Sequence, residues 1–250
     1  MRKKILVKGP VLTRSGYGEQ ARFALRAIRT RPDLFDLYIQ PIDWGHTSWL
    51  FEMSEERIWI DNTIEKTIAH IQRGEKFDIS LQVTIPNEWE EICPINIGYT
   101  AGIETTAVDS QWIMKGNHMD KIVVVSNHSK NVYKETVYTI DSTDFTGATK
   151  FQLETEISAV NYPVRRTEIN GNIDLNLEYD FNFLCVAQMG PRKNLLNTIK
   201  WFVEEFHDDE VGLVVKANRA KNCLMDREWL FNDLRTFLAS HKDRKCKIYL

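Results

Sequence analysis

Two adjacent cations, Arg192 and Lys193, are the residues whose type and setting best suit a charged substrate. They stand in Gln188-Met189-Gly190-Pro191-Arg192-Lys193-Asn194, between an apolar strand-like run and a segment of helical period. Pro191 suits a helix entry, and paired cations beside the free amides of a helix start suit a diphosphate. Lys216 ends the next strand-like run and is expected on the same edge of the sheet. The competing reading makes Arg192 and Lys193 solvated surface charges, but a second lysine one strand over favours a site.

Two further segments carry candidate chemistry. Gly9-Pro10 through Ser15-Gly16-Tyr17-Gly18 lies between a first strand and a first helix. Glycines there let backbone approach a ligand, and amides at a helix start favour anionic or hydroxyl-rich partners. The same turn reads equally as a tight connection that binds nothing. Its spacing is not the dinucleotide Gly-x-Gly-x-x-Gly, and no Gly-Lys-Ser/Thr ending makes it a P-loop. Gly98-Tyr99-Thr100-Ala101-Gly102-Ile103-Glu104-Thr105-Thr106 follows an apolar strand-like run. Ligands of open parallel sheets bind at carboxyl ends of strands, so Glu104 with the Thr105 and Thr106 hydroxyls could hold sugar hydroxyls or act in proton transfer. Local capping by Glu104 is the alternative.

Other constellations fail. The six histidines form no His-Glu-x-x-His, and His118 and His128 have no cysteine partner, so no metal site is expected. Asp208-Asp209-Glu210 falls in a helix-to-strand turn and is expected to be solvated. Trp44, Trp49, Trp89 and Trp112 are expected to pack, with Trp44 and Trp49 also open to a sugar-platform role.

The elements that position these residues follow from an alternation of short apolar runs with longer segments of helical period, the pattern of parallel strands with crossover helices. Strands are predicted at Ile5 to Lys8, Leu37 to Pro41, Asp78 to Val83, Ile95 to Thr100 and Ile122 to Ser126. Ala21, Ala24, Leu25 and Ile28 mark a first helix, with others at Glu55 to Arg73, Ser110 to Asn117 and Ser129 to Val137. Tyr138 to Phe151 reads as an exposed loop and Glu156 to Val160 as a strand. After a polar stretch the alternation restarts, with strands at Phe181 to Ala187, Val211 to Lys216 and Cys246 to Leu250. The intervening helices are predicted at Asn194 to Phe206 and Arg227 to Leu238.

With 250 residues, 43% hydrophobic and 27% charged, the chain has an ordinary globular composition. A net charge of -3 offers no generic attraction to nucleic acid or anionic lipid. Cys93, Cys185, Cys223 and Cys246 are widely spaced and are expected to be buried free thiols in a reducing compartment. No signal-peptide core and no membrane-spanning apolar stretch is present, which reads as a cytoplasmic chain without integral membrane contact.

The segment Phe181 to Asn194 resembles the opening of the donor domain in GT-B glycosyltransferases of the large retaining group, glycosyltransferase family four. Leu213-Val214-Val215-Lys216 looks like that domain's next strand, Ser15-Gly16-Tyr17-Gly18 its partner domain's glycine loop, and Val123 to Ser129 its strand and Ser-x-x-Ser step. The resemblance spans nearly the whole chain. It implies an α/β fold of two Rossmann-like domains: an acceptor-side domain at 1–165, a linker at 166–180, and a donor-nucleotide domain from 181 to 250, expected to be incomplete. It also implies metal-independent, cofactor-free transfer of a sugar, with retention, from a nucleotide-sugar to a glycan, lipid or small-molecule acceptor.

On this resemblance Lys193, with Arg192, Lys216 and Gln188, holds the donor diphosphate, and Ser15, Gly16 and Gly18 form the glycine loop. Ala187-Gln188 stands where the family has Gly-Arg, so a neutral amide replaces one cation. The histidine usual after the fourth acceptor strand is replaced by the Ala101 to Glu104 neighbourhood, and the paired donor-site glutamates are expected beyond Leu250. The alternatives are a sugar-phosphate-binding or isomerase-like GT-B relative, and a catalytically silent nucleotide-sugar or glycan-binding module. A dinucleotide oxidoreductase stands further off because of the first turn's glycine spacing.

Overall fold

The computed structural model describes residues 2–140, 149–164, 166, 168, 171 and 173–250. The chain divides into two compact units, Met1–Trp44 with Trp49–Arg165, and Gly45–Ser48 with Arg166–Leu250. Both are α/β.

The first unit is built on a six-stranded, wholly parallel sheet. Its strands are β1 (Lys3–Gly9), β2 (Phe35–Pro41), β3 (Ile79–Val83), β4 (Ile95–Thr100), β5 (Lys121–Val124) and β8 (Ile157–Ala159). Their order across the sheet is β2-β1-β3-β4-β5-β8. Chain direction across the sheet therefore reverses at β1, and the crevice beyond the carboxyl ends of β1 and β3 is where such sheets receive ligands. The helices are α1 (Gly16–Arg29), α2 (Glu55–Gln72), α3 (Ser110–Asn117) and α4 (Asn127–Glu135). Ala21, Ala24 and Leu25 of α1 pack with Val7, Ile39 and Val83, as their helical spacing predicts.

A second apolar cluster, around Trp89, Ile113, Ile122 and Tyr133, fills the far side of the unit. Trp89 is fully buried and occupies the space a side chain at position 98 would need. A Cβ on Gly98 would come within 2.6 Å of the indole. Gln82 braces this loop by accepting from the Glu90 amide at 3.0 Å and donating to its carbonyl at 2.6 Å.

The expected loop from Tyr138 to Phe151 is instead an antiparallel hairpin as far as it is described, with β6 (Val137–Ile140) paired to β7 (Thr149–Gln152). The polar composition of 141–148, which lies outside the described residues, concealed two β-prone runs on either side. Tyr138 anchors the hairpin through its hydroxyl, which donates to the Val108 carbonyl at 2.6 Å, and Phe151 packs into the Trp89 cluster.

The second unit has three parallel strands in the order β11-β10-β9: β9 (Asn182–Gln188), β10 (Gly212–Asn218) and β11 (Lys247–Tyr249). Helices α5 (Leu195–Glu205) and α6 (Leu224–Leu238) pack on one sheet face through Ile199, Phe202, Leu230 and Leu234, against Leu213 and Val215. Alternation along the strands puts Leu184, Val186 and Lys216 on the other face, all exposed. The described residues of 166–180 carry no helix or strand. The end of that stretch is fastened within this unit by the Glu178 amide donating to the Tyr249 hydroxyl at 2.8 Å.

The cysteines depart from expectation. All four are free thiols, but only Cys246 is buried; Cys93 and Cys185 are partly exposed and Cys223 is exposed. Cys223 stands at the N-cap of α6, outside any apolar run, and Cys185 lies on an edge strand. Among the described residues no helix is long and apolar enough to cross a membrane.

One charge cluster makes a pH prediction for the first unit. Lys4 and Arg73 hydrogen-bond Glu75 at 2.8 and 2.7 Å, and these bonds hold its carboxyl down to about 2 from 4.5. A depressed folded pKa means the contribution is complete above the unfolded value and lost as pH falls through the folded one. The unit's melting temperature should therefore decline between pH 4.5 and pH 2. Glu75→Gln should flatten that part of the profile; an unchanged slope would remove Glu75 as its source.

Candidate functional site

The turn that follows β1 is held by its own side chains. Ser15 caps α1, its hydroxyl accepting from the Gly18 amide at 2.9 Å and lying 2.8 Å from the Thr13 hydroxyl. The Gly18 amide is thus engaged with the protein. Gly18 is required for close packing, because a Cβ there would sit 2.2 Å from the Thr13 carbonyl oxygen. Gly16 has open space around it.

Arg22, one turn further along α1, is 5% exposed and braces the turn from below. Its guanidinium donates to the carbonyls of Val11 and Thr13 at 2.8 and 2.9 Å and to Glu19. Burial works to raise the Glu19 carboxyl, but hydrogen bonds from Arg26 and Arg22 outweigh it and hold the group below its usual value. The spacing of Glu19, Arg22 and Arg26 at i, i+3 and i+7 was a readable signal for this network; that the guanidinium would reach back to the turn carbonyls was not.

The ends of β1 and β4 meet through Tyr17. Its hydroxyl lies 2.7 Å from Thr100 Oγ1 and accepts from the Ala101 amide at 3.2 Å. Burial raises its pKa, and the charge of Glu88, beyond the end of β3, adds to the rise. Trp44 packs on the Tyr17 ring with centroids 4.4 Å apart, whereas Trp49 is 38% exposed. Gly102, at φ +89°, passes so close to α4 that a Cβ would meet Ser129 Oγ at 2.1 Å.

Glu104, Thr105 and Thr106 are exposed on the loop after β4. The Thr105 hydroxyl donates to the Ala107 carbonyl at 2.8 Å, and His128 Nε2 lies 3.2 Å from the Thr105 carbonyl oxygen. The structure therefore adds Tyr17, Thr100, Glu88 and Arg22 to the residues that sequence spacing picked out around this edge.

In the second unit the turn after β9 enters α5 through Asn194, whose φ of 52° is left-handed. The Lys193 and Asn194 amides both donate to the Gly190 carbonyl at 3.1 Å. The first bond of α5 runs from the Thr198 amide to the Asn194 carbonyl, and the Asn194 side chain makes no cap bond. The amides of Leu195, Leu196 and Asn197 thus have no intrahelical partner, the arrangement that favours an anion. A cavity of about 510 Å³ opens there, lined by Gly190, Pro191, Asn194, Leu195, Asn197 and Arg219, with Asp233 also in its wall.

Of the four expected diphosphate contacts, Arg192 and Lys193 are exposed in this turn. Gln188 ends β9, its Nε2 3.4 Å from the Arg219 carbonyl. Lys216 does not share this cavity. It pairs in register with Val186 on the sheet face away from α5 and lines a separate cavity of about 410 Å³ with Leu184 and Asn218. Strand alternation turns it away, and Arg219, just past the strand, is the arginine in the wall of the cavity at the α5 N-terminus.

No family model and no curated protein matches this chain. Among the described residues no group of three or more His, Cys, Asp or Glu side chains could hold a metal ion. The groups on offer are amides, guanidinium, ammonium, phenols and hydroxyls, with the carboxylates of Asp233 in the second unit and of Glu88 and Glu104 in the first. In the second unit that chemistry suits an oxyanion; in the first it suits hydroxyl groups.

Proposed function

We propose that this chain is a GT-B glycosyltransferase that moves a sugar, with retention, from a nucleotide-sugar donor to an acceptor hydroxyl without a metal. The observation that carries the reading is the cavity at the α5 N-terminus, where uncapped amides and Arg219 face the same space. There they would stabilise negative charge building on a departing nucleoside diphosphate.

In this reading the first unit takes the acceptor and the second the donor nucleotide. Lys193 and Arg192 neutralise the diphosphate at the mouth of the turn, and Glu104 with Thr105 and Thr106 serves the acceptor side. A catalytically silent nucleotide-sugar-binding module is the second reading. It is favoured by Lys216 standing on the opposite sheet face, which leaves fewer cations on the diphosphate than the sequence pattern implies.

Calorimetric titration with UDP, GDP and ADP in the presence of EDTA tests the proposal. One nucleotide should bind with micromolar affinity that chelation leaves unchanged. Release of that nucleoside diphosphate from its sugar conjugates on adding an acceptor would separate transferase from silent module. If none of the three nucleotides binds, the donor assignment fails.

A further inference from the structure

At the amino ends of β1 and β2 the first unit holds a cavity of about 340 Å³, walled by the end of α1, the start of β2 and one side of α2. It lies at the other end of β1 from the glycine-bearing turn, about 20 Å along the strand at roughly 3.3 Å per residue. Ile28, Leu37 and Trp59 form its apolar wall, each packed against the core of the unit. Its volume falls in the range of small-molecule sites, about 300–1,000 Å³.

Two arginines line the same cavity. The Arg29 guanidinium lies over the Trp59 ring, 4.5 Å from its centroid, a contact that holds the group in place without neutralising it. Arg2 stands just before β1. Neither makes a hydrogen bond or an ion pair with another side chain among the described residues. Neighbouring arginines are neutralised: Arg26 by Glu56 and Glu19, and Arg31 by Asp33. Among the described residues of the wall the one carboxylate is Asp36, and it is engaged by Lys66 at 2.6 Å and by the Tyr38 hydroxyl at 2.9 Å. Lys66 and Asp36 therefore cancel, and Arg2 and Arg29 leave the wall positive in a chain whose net charge is -3.

We infer that this cavity is a binding site for a small phosphomonoester, with Arg2 and Arg29 on the phosphate and Ile28, Leu37 and Trp59 against the organic body. A phosphomonoester carries about two negative charges at pH 7, which two guanidiniums match in number. Guanidinium donors also suit the geometry of phosphate oxygens. A carboxylate brings a single charge, and inorganic phosphate offers nothing to the apolar wall. The cavity belongs to the first unit alone and lies apart from the edge assigned to the acceptor, so the inference does not rest on the proposed function.

Titration of the isotope-labelled whole chain with phenyl phosphate, inorganic phosphate and benzoate tests the site, read by NMR at the Trp59 indole cross-peak, which Trp59→Phe identifies. Phenyl phosphate should shift that peak with a dissociation constant of about 1 mM or tighter, the scale of a fragment-sized ligand. Inorganic phosphate and benzoate should each need about tenfold more, the first lacking an apolar body and the second a charge. Arg2→Gln and Arg29→Gln should each weaken phenyl phosphate about tenfold. Both side chains are exposed, so both variants should melt within about 2 °C of wild type. Arg219→Ala should leave the Trp59 titration unchanged.

The inference is overturned if no probe moves the Trp59 peak, if inorganic phosphate or benzoate binds as well as phenyl phosphate, or if neither variant weakens the titration. The ranking of the three probes needs no variant, so a variant that fails to fold leaves the test intact. Loss of nucleotide binding in the second unit, by contrast, would sink the donor assignment and leave this site standing.

Discussion

Gly18→Ala should cost the first unit about 3 kcal/mol, in the upper range for overpacking a close-packed site. The new methyl would sit 2.2 Å from the Thr13 carbonyl oxygen, 2.7 Å from its hydroxyl and 3.0 Å from the Pro10 carbonyl oxygen. Two of these atoms are backbone and cannot rotate aside. Moving the Thr13 carbonyl also disturbs the bond from Arg22 and the Thr13–Ser15 contact that supports the α1 cap. The melting temperature should fall by roughly 6 °C or more on the usual scaling for domains of this size.

Gly16→Ala provides the control. It stands at the first position of the same helix with nothing within 4 Å of its would-be Cβ. There alanine should be neutral or stabilising by up to about 1 kcal/mol, through helix propensity. Thermal unfolding followed by circular dichroism distinguishes the two. A melting temperature for Gly18→Ala within about a degree of wild type would mean the turn relaxes freely, contrary to the braced geometry described above.

Arg219→Ala should weaken nucleotide binding by about 10-fold to 100-fold, the scale of one charge-assisted hydrogen bond lost from a diphosphate. Lys193→Ala should weaken it by a similar or smaller factor, because Lys193 is exposed in the turn whereas Arg219 lines the cavity at the α5 amides. Lys216→Ala should leave it within about twofold, since its side chain lies on the opposite sheet face. The ordering is the informative result, and calorimetry with the preferred nucleotide reads all three variants. A large effect at Lys216 with none at Arg219 would move the donor site to the other face of the sheet.

The element order was legible in advance because its signals are local. Val7, Val83 and Tyr99 sit in short apolar runs, and Leu195, Ile199 and Phe202 recur at helical spacing; each pattern is confined to one strand or helix. The hairpin of β6 and β7 was not legible, because its strands are four residues each and flank a polar segment. In the candidate site, the two strand-to-helix turns were found from glycine and proline placement. Arg219 and Glu88 were not, since neither sits in a recognisable motif, and the spacing of Arg22 with Glu19 and Arg26 does not tell that its guanidinium reaches the turn carbonyls.

The sequence by itself determined that the fold is α/β and, to within two residues, where the strands of the two parallel sheets end, because strand and helix periodicity are written along the chain. Only the tertiary structure decided which charges converge. Lys216 and Arg219 are three positions apart, yet pairing register and strand alternation send the first away from the α5 amides, and the loop's path brings the second beside them. Tyr17 and Thr100 are 83 residues apart in sequence and meet only because α1 and β4 pack on one sheet edge. Convergence of that kind depends on long-range packing, which no local pattern records.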